Sequence, residues 1–184
     1  MNKLELNKLN IAIKSLHAEG DVYSYEIDKS RMIDFPRGFL KTLHTNRSFL
    51  SFLDNKIIIE NIAQHMMHRD TLHWVWLKTD ISADARNMII KFQLINLASI
   101  LEAIVKSIYP KMPKKMDDVY NRIDKLEIEK YISNATNLKK LWEARKSIHL
   151  HLTEEKDRIK FTDSKYIAWN KSISTLIKEL NHGI

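Results

Sequence analysis

Residues Ser82–Tyr109 read Ser-Ala-Asp-Ala-Arg-Asn-Met-Ile-Ile-Lys-Phe-Gln-Leu-Ile-Asn-Leu-Ala-Ser-Ile-Leu-Glu-Ala-Ile-Val-Lys-Ser-Ile-Tyr, and Pro110 follows. Met88, Ile89, Ile90, Phe92, Leu94, Ile95, Leu97, Ile100, Leu101, Ile104, Val105 and Ile108 fall on nearly every side of a helix with about 3.6 residues per turn. Ser82 suits an N-cap, Asp84 favours the positive end of the helix, and the ring of Pro110 stops it. A helix apolar over most of its circumference must be covered on several sides, so this stretch predicts the central helix of a bundle. Gln93 and Asn96, one turn apart, read as amides satisfied inside that core.

Composition agrees with a helical reading. With 3 Gly and 3 Pro in 184 residues, helix breakers are scarce. A chain of this length buries roughly 70% of its unfolded surface and needs no disulfide or metal to fold. The absence of Cys removes disulfides, thiolate zinc sites and Cys nucleophiles, and fits a reducing compartment. Met1–Gly20 carries charges throughout and lacks the continuous apolar core of a signal peptide. No apolar run is expected to reach the roughly 20 residues that span a bilayer, so the expectation is a cytoplasmic protein with no membrane partner. The net charge of +7 points to an anionic partner, nucleic acid first, with a merely soluble basic surface as the alternative.

Outward from the central helix, Asn2–His17 reads as an amphipathic helix ended by Gly20, and Val22–Ile27 as an extended connector. Pro36 is expected to open a second helix running to about Leu53, and Asn55–His68 a third. Over the five residues His73–Leu77, periodicity does not distinguish strand from helix. Asp118–Tyr131 predicts a further helix, Asn134–Asn137 a turn, and Thr153–Lys160 a charged connector. A last helix over about Ser164–Leu180 is capped by Thr162 or Asp163. The expected fold is an all-α, up-and-down helical bundle over residues 81–184, preceded by a helical extension over residues 1–80. His65 and His68 have a spacing that suits zinc or nickel. There is no His-Glu-x-x-His pattern, and Asp70 is the sole acidic neighbour, so His65, His68 and His73 read as packing beside Met66, Met67 and Trp74; no metal site is expected.

The stretch with the most chemistry is Leu138–Leu152: Leu-Lys-Lys-Leu-Trp-Glu-Ala-Arg-Lys-Ser-Ile-His-Leu-His-Leu. Leu138, Leu141, Trp142, Ile148 and Leu152 recur at helical spacing, and Arg145 falls inside that apolar stripe. At about 100° per residue, Arg145 and His149 project within roughly 40° of each other, while His151 lies about 120° away. A guanidinium does not lose its proton, so on an inward face it needs an anion or a wet cleft. Pairing with Glu102 or Glu143 is the purely structural reading of Arg145; a core or helix-end position is that of His149 and His151.

On these residues, Ser82–Leu180 resembles a HEPN domain (higher eukaryotes and prokaryotes nucleotide-binding). That family has a long core helix, then a helix bearing an Arg and, a few residues on, a His, then a closing helix. The matching residues here are Arg145-Lys-Ser-Ile-His-Leu-His151, within Leu141-Trp-Glu-Ala-Arg145 and His149-Leu-His-Leu-Thr-Glu-Glu. The resemblance implies a metal-independent endoribonuclease without a cofactor, formed by a homodimer whose two motif helices line one cleft. It gives Arg145 the scissile phosphate of RNA and His151 the acid–base role, with His149 the other candidate by helical projection. Lys146, where the family often has Asn or another small polar residue, is a phosphate-binding candidate, as are Lys114 and Lys115 in the basic loop after Pro110. The resemblance also implies a toxin or phage-defence setting with an antitoxin protein as partner. Thr153 stands where some toxins of the family carry a Tyr that a nucleotidyltransferase antitoxin modifies. The other reading is a non-catalytic helical dimer that binds RNA, nucleotide or a protein partner.

Overall fold

A computed structural model describes residues 3–18, 40–81, 83–113, 118–146, 148 and 161–183. Every regular element among them is an α-helix: α1 (Lys3–Ala18), α2 (Leu43–Ser48), α3 (Lys56–Lys78), α4 (Ala83–Ile108), α5 (Val119–Ile128), α6 (Thr136–Lys146) and α7 (Asp163–Gly183). The protein is all-α. The Val22–Ile27 connector, Pro36, Ser82, Lys114, Lys115, His149, His151 and the 153–160 connector lie outside the described residues.

α4 is the hub. Ile90, Leu94, Leu97, Ile100, Leu101, Ile104 and Val105 have no solvent exposure. α3, α5, α6 and α7 all pack on α4; α2 packs on α3, and α6 also packs on α5 and α7. α4 is long and apolar enough to cross a membrane by length and composition, contrary to the expectation that no stretch would be, but 61% of that window is buried within the protein, as in a core helix. Two compact units divide the chain, residues 1–37 and Gly38–Ile184. Within the second, the short α3–α4 connection lays Ile62, Ala63 and Met66 of α3 into the same core as α4.

Helix ends follow local chemistry. Asn55 Oδ1 accepts from the Ile57 and Ile58 amides at 3.0 and 3.2 Å, and α3 then runs without a break through His73–Leu77. The second helix is shorter than expected because Thr42, not Pro36, caps it: Thr42 Oγ1 accepts from the Thr45 amide at 3.1 Å. Asp118 Oδ1 accepts from the Asn121 amide at 2.8 Å and starts α5. Thr162 caps α7 through the Lys165 amide at 3.4 Å, which leaves Asp163 free for other partners. α5 closes with Tyr131 N–H donating to the Leu126 carbonyl at 3.0 Å and Lys130 N–H to the Glu127 carbonyl at 3.1 Å. That closure places Lys130 at φ 63°, in the left-handed region that glycine occupies without a Cβ penalty.

Two expected outcomes test this account. Leu101→Ala removes a side chain with no exposure from the centre of α4 and is expected to destabilise by about 2–5 kcal/mol in urea unfolding. Lys130→Gly relieves the left-handed strain and is expected to stabilise by about 1 kcal/mol in the same measurement.

Candidate active site around Arg145

α6 is set in place from its N-terminal end. Asn134 Oδ1 accepts from the Thr136 amide at 2.8 Å, and the Ala135 amide donates to Glu127 Oε1 at 3.0 Å, tying the start of α6 to the end of α5. Leu138, Leu141 and Trp142 are buried against the core. Arg145 and Lys146 occupy the last turn, where cations favour the negative end of the helix dipole.

The described part of α6 ends at Lys146, and the Ile148 amide donates to the Arg145 carbonyl at 3.2 Å in a turn; residues 149–152 lie outside the described residues. The angles expected between Arg145 and the two histidines involve His149 and His151, which are among those. Arg145 sits in the last described turn of α6. Its side chain is 39% exposed, at the margin of the apolar stripe and not inside it. The guanidinium lies over the Trp142 ring, 4.8 Å from the centroid. Its Nη2 is 3.8 Å from Glu102 Oε2, beyond hydrogen-bond reach. Glu102 Oε1 is already engaged by Lys106 Nζ at 2.7 Å.

The other described arginines are held much more firmly. Arg47 meets Glu60 at 3.0 Å, Arg69 meets Asp70 at 3.0 Å, and Arg86 meets Asp163 at 3.1 Å. Arg122 donates from Nε to the Tyr109 carbonyl at 3.0 Å. Among the described arginines, only the Arg145 side chain has neither a hydrogen bond nor an ion pair as short as about 3 Å to a described residue. A stack on Trp142 is worth about 0.5–1 kcal/mol and a loose, part-exposed ion pair about 0–1 kcal/mol, so an incoming phosphate competes with little.

Basic and aromatic side chains continue around Arg145. Lys146 Nζ pairs with Glu143 at 3.1 Å and lies 5.6 Å from the Tyr120 ring centroid; Lys139 Nζ reaches the same ring at 5.4 Å. Lys139 is also bonded to Asp124, and that contact, ahead of a smaller opposing effect of burial, holds its ammonium above the ordinary lysine range. On α4, Met88, Phe92, Ile95, Ser99 and Glu102 lie within about 40° of one line along the helix. Met88, Phe92 and Ile95 are 44%, 53% and 37% exposed, so an apolar stripe leads along α4 to the carboxylate beside Arg145. The chain matches no family model, no curated protein and no solved structure.

A second polar cluster, between α3, α4 and α7, was not legible in the sequence. Tyr166 OH donates to Gln93 Oε1 at 2.8 Å, so His73 Nδ1, 2.7 Å from the same oxygen, carries the proton and donates to it. Trp76 Nε1 donates to Asp163 Oδ1 at 2.9 Å, and Arg86 grips both Asp163 oxygens and the Trp76 carbonyl. Burial would raise the Asp163 pKa, but the Arg86 and Trp76 hydrogen bonds outweigh it and hold the carboxyl below its ordinary value. Burial, aided by the Arg69 guanidinium and opposed by Asp70, holds His73 below the ordinary imidazole value. His65 is also engaged, with its Nδ1 on Asn96 Oδ1 while Asn96 Nδ2 donates to the His65 carbonyl at 2.7 Å. No cluster of three or more His, Cys, Asp or Glu placed to hold a metal occurs among the described residues.

The lowered His73 pKa fixes a sign. A histidine depressed by folding contributes stability that is complete above the unfolded value of about 6.5 and is lost as pH falls toward the folded value. Wild-type protein is therefore expected to lose thermal stability between about pH 7 and pH 5, and His73→Asn to lose less over the same range, as read by circular dichroism melts.

Proposed function

We propose that this chain is a HEPN-like, metal-independent endoribonuclease that cleaves RNA by attack of the ribose 2′-hydroxyl, working as a homodimer. The observation that carries this reading is Arg145: an exposed guanidinium at the end of α6, stacked on Trp142, with no hydrogen-bonded carboxylate and with His149 and His151 following in sequence. A planar fork of donors suits a phosphoryl group that gathers charge in its transition state. Imidazole titrates near pH 6.5 when unperturbed, which suits it to take the 2′-hydroxyl proton and to return one to the 5′-oxygen leaving group. RNA brings its own nucleophile, so the reaction needs no Ser, Cys or cofactor from the protein. In this reading Arg145 binds the scissile phosphate, His151 or His149 moves the proton, and Lys146, Lys114 and Lys115 hold flanking phosphates.

The exposed Met88–Phe92–Ile95 stripe supports the dimer, because a second copy laid along α4 would bury it and bring the two Arg145 side chains toward one cleft. A toxin or phage-defence role and an antitoxin partner belong to the same proposal and rest on the family resemblance; a cytoplasmic location is proposed with them. The Glu102 contact favours the second reading, in which Arg145 is a structural cation and the dimer binds RNA, nucleotide or protein without cutting.

The test is cleavage of single-stranded RNA in EDTA with analysis of the ends. The expected result is 2′,3′-cyclic phosphate products, with Arg145→Ala losing at least about 100-fold in rate and either His151→Ala or His149→Ala doing the same. Phe92→Asp is expected to shift the protein toward monomer and lower activity together. RNA binding without cleavage, unchanged in Arg145→Ala, would establish the non-catalytic reading instead.

A further inference from the structure

On the compact unit that begins at Gly38, a groove of about 400 Å³ opens between Lys41, the turn after α2, α3 and the C-terminal part of α7. That volume lies within the range of about 300–1,000 Å³ typical of small-molecule sites. Its floor is apolar: Phe49, Met66 and Ile177, the last two buried. Its charged lining is of one sign, with Lys41, Arg69 and Lys178 but no Asp or Glu, and His182 beside them.

Arg69 is the unusual member. It is only 7% exposed, and burying a guanidinium against Met66 and Ile177 is costly unless its donors are satisfied. Asp70 Oδ1 takes its Nε at 3.3 Å and its Nη2 at 3.0 Å, and Nη1 has no hydrogen bond to a described residue. Lys178 makes no ion pair with a described residue, and Lys41 rests over the Phe49 ring at 5.0 Å. The groove therefore has a greasy floor, one buried donor and two ammonium groups.

The neutral polar groups decide what class of anion fits. Ser174 Oγ is committed to the Asn170 carbonyl at 3.0 Å. Asn181 is committed at both ends: Nδ2 donates to the Phe49 carbonyl at 2.7 Å and the Ile177 carbonyl at 2.9 Å, and Oδ1 accepts from Ser51 Oγ at 2.7 Å. Neither has a donor to spare for a base edge, and the rest of the lining is apolar or basic, so it suits an aliphatic body with an anionic head better than a nucleotide. We infer that this groove binds a medium-chain aliphatic carboxylate, its chain on Phe49, Met66 and Ile177 and its head held by Lys41, Arg69 and Lys178.

Isothermal titration of the full chain tests this with three probes: decanoate, decan-1-ol and adenosine monophosphate. Decanoate is expected to bind with a Kd of about 0.1 mM or tighter. Decan-1-ol and adenosine monophosphate should each bind at least about tenfold more weakly, the first for want of charge and the second for want of an aliphatic body. Lys41→Glu and Lys178→Glu alter exposed positions and should leave the circular dichroism spectrum intact; each is expected to weaken decanoate about tenfold, and together they should abolish binding. Absence of decanoate binding, equal binding of decan-1-ol, preference for adenosine monophosphate, or unaltered affinity in the folded double variant would each overturn the assignment.

Discussion

The constraint behind this fold is that α4 has almost no face it can leave in water. Side chains with no exposure occupy Ile90, Leu94, Leu97, Ile100, Leu101, Ile104 and Val105, at roughly 25 cal/mol per Å² of apolar surface withdrawn. Covering so much of one helix takes four others, and each brings polar groups into the core that must then be paired. Gln93 takes the Tyr166 hydroxyl, Asn96 takes the His65 carbonyl, and Arg122, 2% exposed, takes the Tyr109 carbonyl just past the end of α4. The last contact also places a cation at the negative end of the α4 dipole. The polar clusters around α4 are thus consequences of its burial.

What was legible in the sequence was whatever depended on short-range spacing. α4 appears within a residue of its expected ends, and α7 begins where its cap predicted, because apolar periodicity and N-caps are local. Expectations failed where tertiary partners decide. The five residues His73–Leu77 are helical because α3 is already propagating through them from Asn55, with Trp76 buried in the core. The His73–Tyr166–Gln93 chain joins residues 93 and 73 positions apart, a link that no window of sequence contains. Met88, Phe92 and Ile95 read as core by residue type, yet stand on the side of α4 that α3, α5, α6 and α7 leave exposed. For Arg145 the residue and its sequence neighbours were legible; its exposure was not, because that depends on how α6 packs beside Glu102 of α4.

The two halves of the Arg145 setting make sense together. A cation beside an exposed apolar stripe is poorly suited to a finished monomer surface, since exposed Phe and Met gain nothing from water and a nearby charge raises the cost of covering them. In the dimer proposed above the stripe would be buried by a second copy and the guanidinium left at the rim of the cleft. Glu102 then has a definite electrostatic role. At 3.8 Å its carboxylate offsets some of the Arg145 charge while the guanidinium donors stay available; in the proposed dimer that would reduce like-charge repulsion between two facing guanidiniums. Lys106 holds the other oxygen of Glu102 at 2.7 Å, so the carboxylate is shared between two cations. A carboxylate divided in this way holds the arginine in position less tightly than the firm pairs of Arg69 and Arg86, the condition a phosphate-binding arginine requires and a structural one does not.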